Sequence, residues 1–315
     1  MLPRQSTKAY LASFMTLLIM GLGICFTNTI TPAHSADTKA YKIKLDRPIK
    51  VGQTFRIKAS GYEAKSAAAR VGNKSKELPG ETTSFSLVAD YVIMEISDTG
   101  DATKIRIVID TLNEQGTGVD KALLPRGVVV IGEVKNGKET YELTKGKLSK
   151  AAHNAIEKTF SLDTDDGPSD DKIFDTQKPR KVGDSWPINK KQAALSFNKM
   201  KLKADIKNLT GTTKFVQIRD IEGQKCIDLS HDIKITKFTP SIAQKLPPGT
   251  TLKNSLILFS GHNVVPVNTD SLLLYSTMNM KMAVVMSAPG PVPGQKVEIH
   301  TTVTGVYNKT IHQMN

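Results

Sequence analysis

One decamer is written twice in this chain. Pro48-Ile49-Lys50-Val51-Gly52-Gln53-Thr54-Phe55-Arg56-Ile57 returns as Pro179-Arg180-Lys181-Val182-Gly183-Asp184-Ser185-Trp186-Pro187-Ile188, with the shared pattern Pro-x-Lys-Val-Gly-x-(Ser/Thr)-aromatic-x-Ile. A long-period repeat constrains architecture more than any local motif, because one supersecondary plan is then used twice. Two further blocks keep the order. Leu87-Val88-Ala89-Asp90-Tyr91 is echoed by Leu202-Lys203-Ala204-Asp205-Ile206. Ile105, Ile107, Asp110 and Leu124-Pro125-Arg126-Gly127 are echoed by Ile227, Leu229, Asp232 and Leu246-Pro247-Pro248-Gly249. Matched residues lie 131, then 115, then 122 positions apart, which reads as a tandem duplication with insertions where loops tolerate them.

Period-two alternation makes both copies β. Residues 199–207 place Met200, Leu202, Ala204 and Ile206 on one face and lysines on the other, and 105–109 and 227–235 alternate in the same way. Asn136-Gly137 sets a hairpin turn, and residues 272–286 and 296–307 read as long strands around a Pro/Gly turn at 288–294. One helix is expected from a Ser149 cap to Phe160, with a further helical turn at 241–246. Residues 65–82, rich in Ala, Lys, Ser and Gly, read as an exposed mobile loop. The expected fold is all-β and mainly antiparallel, of sandwich or half-barrel type, with one or two short helices. Its units are a repeat at 37–162, an acidic linker at 163–177 and a second repeat at 178–315.

Residues 1–36 read as a secretory signal: Arg4 and Lys8 precede an apolar run at 10–26 and a small-residue tail ending at Ala33, Ser35 and Ala36. The alternative is a retained anchor, since 17 residues sit at the lower edge of a bilayer span. Past that segment nothing is apolar enough to cross a membrane as a helix, so an exported chain, periplasmic or secreted, is expected. The mature chain keeps only Cys226, which excludes an intramolecular disulfide. Charge is uneven: +5 over 37–162, −5 over 163–177 and +11 over 178–315. Such a surface suits anionic envelope polymer or lipid head groups as partners, or simply solvates the protein. Basic strands without interleaved aromatics exclude a stacking platform for nucleic acid.

Val51-Gly52-Gln53-Thr54-Phe55 and Val182-Gly183-Asp184-Ser185-Trp186 resemble exported bacterial β-rich proteins of unknown function that carry a Val-Gly-Asp-x-Trp signature before a strand. The resemblance implies a β-rich exported protein and brings no activity with it. Phe55 and Trp186 are expected to anchor their strands in the core.

No nucleophile, phosphate-loop, dinucleotide or metalloprotease motif occurs, so no catalytic residue and no cofactor is assigned. Met278, Met280, Met282 and Met286 share one face of a strand, and unbranched thioethers there are candidates for a groove that adapts to an apolar ligand, against the alternative of ordinary core. Asp163, Asp165 and Asp166 could offer oxygen ligands to calcium, but Gly167 falls one place early for an EF-hand and Phe174 stands where its bidentate Glu belongs. His231 shares a face with Ile227, Leu229, Ile233 and Ile235 and reads as a satisfied core histidine. Three functional classes follow: a non-enzymatic carrier of a hydrophobic or amphiphilic ligand, an interaction module for anionic envelope components, and an enzyme with a loop-assembled site. Oligomeric state is left open.

Overall fold

The alternating segments of both halves join one antiparallel sheet. The computed structural model describes residues 39–115, 120–162, 167–199, 202–240, 248–272, 274–290, 292 and 294–314. The first half supplies β1 (Thr54–Val71), β2 (Lys74–Ile96), β3 (Ala102–Glu114), β4 (Lys121–Leu124), β5 (Val129–Lys135) and β6 (Lys138–Leu143). Helices α1 (Lys150–Thr159) and α2 (Asp170–Ile173) lead to β7 (Ser185–Pro187) and α3 (Lys190–Lys199). Then come β8 (Leu202–Lys203), β9 (Leu209–Ile221), β10 (Gln224–Thr236), β11 (Thr239–Pro240), β12 (Thr251–Pro266), β13 (Leu274–Pro289) and β14 (Lys296–Met314). The sheet has 12 strands in the order β6-β5-β3-β2-β1-β14-β13-β12-β10-β9-β7, with β4 on β3. The halves meet where β1 pairs β14, from Thr54↔Met314 to Arg70↔Glu298. β8 and β11 form a separate small ribbon.

One face of this open sheet, the inner face, folds over the helices as a half-barrel does. Directly paired residues point to the same side, so Phe55, Tyr91 and Ile107 form one inner row, and Ile57 with Ala89 and Ile311 the next. All six are buried. Helix α1 follows its sequence signals: the Ser149 Oγ accepts from Ala152 N at 3.2 Å, and Ala152, Ala155 and Ile156 face the core. Its last turn is tied to the sheet. Lys158 Nζ lies 2.7 Å from the buried Glu63 carboxylate, and Lys309 Nζ donates to Thr159 O at 3.0 Å, a cation where the helix dipole favours one.

The Val-Gly turn is built the same way in both halves. Gly52 N donates to Ile93 O (2.9 Å) and Gly183 N to Phe215 O (2.8 Å). Ile93 N and Phe215 N return bonds to Gln53 O and Asp184 O. The Gln53 and Asp184 side chains accept from Lys50 N and Lys181 N at 2.7 and 2.8 Å. Both glycines have φ near +90° (84° and 92°), where a Cβ would be strained. Phe55 is buried and stacks on Tyr91 at 5.1 Å. Trp186 is buried too, donates Nε1–H to Phe174 O at 2.7 Å, and carries the Arg180 guanidinium 4.4 Å above its ring.

Three expectations change. Residues 65–82 form no loop: β1 and β2 run on to a turn at Gly72-Asn73, because the Ala-rich stretch finds a partner in β14. Pairing overrides its low strand propensity. Past Ser84, β2 has no partner strand on its second side among the described residues, and Lys74, Lys76, Pro79 and a register shift opposite 65–67 blunt that edge. Residues 199–207 do not make a long strand. An Asn189 cap (Gln192 N to Oδ1, 3.3 Å) and Ala193, Ala194 and Phe197 at helical spacing start α3, leaving only β8 and a 3-10 turn at Ile206–Asn208. The middle match also moves. Tyr91 lies opposite Phe55, and Thr213, not Ile206, lies opposite Trp186. Residues 241–246 lie outside the described residues.

Candidate functional site

The methionine stripe runs along the inner face of β13. Met278 and Met280 are buried, while Met282 and Met286 are half-buried with Val284 buried between them. Registers place their neighbours: Met280 faces Phe259 and Gly305, Met282 faces Ile257 and Val303, and Met286 faces Leu252 and Ile299. Phe259 in turn stacks on Phe197 of α3 at 5.5 Å. The near half of the stripe is therefore core under a helix. Beyond Glu63 the same face opens: Lys65, opposite Val303, pairs with Glu81 at 3.6 Å, and past that pair Ala67, Ala69, Val71, Val297 and Ile299 are half-buried beside Met282 and Met286. On the β2 side of this apolar area, Lys76 and Lys74 stand opposite Ala69 and Val71.

Besides Arg47, which donates to Pro266 O at 2.7 Å, and Glu139, which accepts from Leu162 N at 3.1 Å, polar groups enter the core in three clusters. His231 is buried, with Nδ1 3.2 Å from Thr213 Oγ1, Nε2 3.3 Å from Asn263 Nδ2, and its ring tilted on Phe174 at 3.9 Å. Ser276 Oγ donates to Asn263 Oδ1 at 2.7 Å. Burial, helped by His262, holds His231 down to a pKa of about 3, so the ring is neutral at physiological pH. A cavity of about 50 Å³ beside it, bounded by Asp170, Phe174 and Met278, has room for water and none for a substrate. At the second place, burial raises the pKa of Glu63, against the pull of Lys158, and the Tyr307 hydroxyl donates to the same carboxylate. At the third, Asp46 and Asp171 clamp reciprocally: Asp46 accepts from the N–H groups of Asp170 and Asp171 (3.2 Å each), and Asp171 accepts from Leu45 N (2.7 Å). Burial and the Asp171 charge push Asp46 up to about 7.

None of this assembles a nucleophile with a base. His231 is held by a hydroxyl and an amide rather than oriented toward a reacting group. Among the described residues no three His, Cys, Asp or Glu side chains converge on a metal position. Asp163, Asp165 and Asp166 lie outside the described residues. Asp205, matched to Asp90 by sequence, instead caps the 3-10 turn through Lys207 N at 3.2 Å. Asp90 faces outward and pairs with Arg56 at 2.9 Å. Sequence reading missed the Glu63–Lys158–Tyr307 cluster because its members are 95 and more residues apart; only the β1–β14 register brings Glu63 and Tyr307 near each other.

No family model matches this chain and no curated protein matches it. Among solved structures, lipovitellin, studied for its lipid–protein interactions, aligns over 84% of this chain and 25% of its own at 8% identity, with a TM-score of 0.28. The chain thus spans about a quarter of lipovitellin's length. The outer membrane protein OprG of Pseudomonas aeruginosa aligns over 84% of this chain and 98% of its own, at 8% identity and a TM-score of 0.17. Ail of Yersinia pestis gives 82%, 99%, 7% and 0.13 in the same order. Scores this low carry no functional argument. No helix among the described residues is long and apolar enough to cross a membrane.

Proposed function

We propose that this chain is an exported, non-enzymatic envelope protein that holds a hydrophobic or amphiphilic ligand against the open end of its inner face. The observation that supports the reading is the change along the methionine stripe, from buried Met278 and Met280 to half-buried Met282 and Met286 among Ala67, Ala69, Val297 and Ile299. An apolar face that continues past its own cover is where a flexible ligand gains most from burial, and thioethers fit chains of varied shape. Duplication of a Val-Gly-x-(Ser/Thr)-aromatic unit, in the manner of β-rich exported proteins, supports the export part of the reading, as does the apolar leader at residues 10–26.

The test is native mass spectrometry of protein purified from its own envelope, with a fluorescent fatty-acyl titration of wild type and Met282→Lys/Met286→Lys. Saturable binding by the wild type, lost in the variant while circular dichroism is unchanged, is the expected result. No saturable binding by the wild type overturns the carrier.

A further inference from the structure

The sheet has a second concavity, on the face opposite the helices. It is an open trough of about 650 Å³, within the volume range of small-molecule sites. Five strands cross it in register. One outward row runs Thr212, Asp232, Ser260, Asn279, Val306, and the next runs Thr210, Lys234, Leu258, Lys281, Thr304. Lys234 and Lys281 both stand opposite Leu258, two strands apart, which sets their Cα atoms about 10 Å from each other at the usual strand spacing. Asp232, Lys234 and Lys281 are exposed, and among the described residues none of the three makes an ion pair.

We infer that this trough binds a segment of a soluble anionic glycan, a chain of sugars bearing carboxylates. Two unpaired ammonium groups on flexible stems that rise from one strand row suit repeated negative charge. Hydroxyls from Thr212, Ser260 and Thr304, the Asn279 amide and the Asp232 carboxylate supply donors and acceptors for ring hydroxyls. Leu258 (37% exposed) and Val306 (39%) leave an apolar floor for the C–H faces of the rings. The surrounding half, at net +11 over residues 178–315, draws a polyanion toward the site. A concave trough favours a chain that lies along it over the plane of a bilayer.

The experiment is isothermal titration of the full mature chain with oligogalacturonate, with neutral dextran of the same length and phosphatidylglycerol vesicles as comparison arms. Saturable binding to oligogalacturonate that weakens with salt is expected. Lys234→Gln/Lys281→Gln should weaken it at least tenfold, and Lys74→Gln/Lys76→Gln, an equal loss of charge elsewhere, should leave it unchanged. Asp232→Asn separates recognition from attraction: it weakens binding if the carboxylate accepts from sugar hydroxyls and strengthens it if charge alone acts. The inference fails if oligogalacturonate does not saturate, if both lysine pairs lose binding equally, if Asp232→Asn strengthens binding, or if only the vesicles bind. Fatty-acyl binding by the inner face is read separately through Met282→Lys/Met286→Lys, so either site can fail alone.

Discussion

After the shared Val-Gly turn the two halves part at one residue. In the first, Arg56 continues β1, which is paired on both sides, by β2 and β14. In the second, Pro187 ends β7, which is paired only by β9 at the edge of the sheet. Proline has no N–H for a second ladder and is confined to such edges. Asn189 then caps α3, so the chain that would have extended a strand becomes a helix on the inner face. The outer faces differ for the same reason. Arg56 bridges Asp90 and Asp110, and Arg126 adds a contact to Asp110 at 2.8 Å. In the second half Pro187 stands opposite Thr212, no such bridge forms there, and the trough lies open behind Gly211 and Ile233. The same turn thus leads into a closed, ion-paired surface in the first half and an open one in the second, where it sits at the edge of the sheet.

The largest effects should come from the residues the halves share. Phe55→Ala and Trp186→Ala each remove a buried aromatic and should cost about 3–5 kcal/mol by urea unfolding. Trp186→Phe, which makes the second half resemble the first, should still cost about 1–3 kcal/mol, because it leaves the Phe174 carbonyl without its donor. Equal stability of Trp186→Phe and wild type would mean that the two anchors are interchangeable. Arg56→Pro should be far worse than its mirror change Pro187→Arg, since only β1 needs its N–H groups on both sides.

Gly211 sharpens the comparison further. It faces Ile188 as Ala89 faces Ile57, yet a Cβ at Gly211 would lie 2.6 Å from Ile188 Cδ1 and 2.8 Å from Asp232 O. Gly211→Ala, the residue used by the other half, should therefore destabilise by about 1–3 kcal/mol through overpacking. Ala89→Gly should cost about 0.5–1 kcal/mol through backbone entropy. A neutral Gly211→Ala would show that the second half relaxes to the packing of the first.

The halves should also answer pH with opposite signs. In the first, burial raises Asp46 and Glu139 to about 7, above their unfolded values, so their contribution is fully present at low pH and is lost as pH rises from about 4 to about 7. In the second, His231 is lowered to about 3, so its contribution is present above about 6.5 and is lost as pH falls toward 3. With two carboxyls opposing one imidazole, wild type should lose stability as pH rises between 4 and 6.5, with the slope of about one proton. Asp46→Asn/Glu139→Gln should leave a profile rising with pH, and His231→Gln one that falls more steeply than wild type. Parallel profiles for the two variants would refute the assignment.

The all-β, antiparallel character was legible because buried positions recur every second residue in β2, β3 and β10, and the Asn136-Gly137 turn sits where its chemistry puts it, with φ of 52° and 69°. The helix at 150–159 was legible from its cap. What could not be read was anything set by pairing partners far away. Ala67 and Ala69 become strand because β14, more than 200 residues later, lies beside them. Lys199–Lys207 alternates as well as any strand, but α3 takes its start and a 3-10 turn its end, and only Leu202–Lys203 pairs, with β11. The methionine stripe was visible as a stripe; its division into a covered and an open half depends on where the helices stop. The outer trough is written in residues that look like ordinary solvated strand positions until the register lines up Lys234, Leu258 and Lys281.

The smallest expected effect lies on the closed outer face. Arg56 and Asp90 are each about one-third exposed, at 34% and 35%, so the network gains little from charge attraction in water. Hydrogen bonding to Asp110 and Asp90 raises the pKa of Arg56, and Arg56 lowers that of Asp110, so the geometry is good even where the energy is small. Arg56→Gln should therefore give the least loss of stability of any change proposed, and the loss should fade as salt rises and the screening length shrinks from about 10 Å at 0.1 M to about 3 Å at 1 M. Melting curves at the two salt concentrations measure it. A large, salt-independent loss would mean that Arg56 acts by packing its stem across β2 rather than by charge. The first half's outer surface would then be held closed by apolar contact, and the absence of an arginine opposite Thr212 would matter to the second half's trough for shape and not for electrostatics.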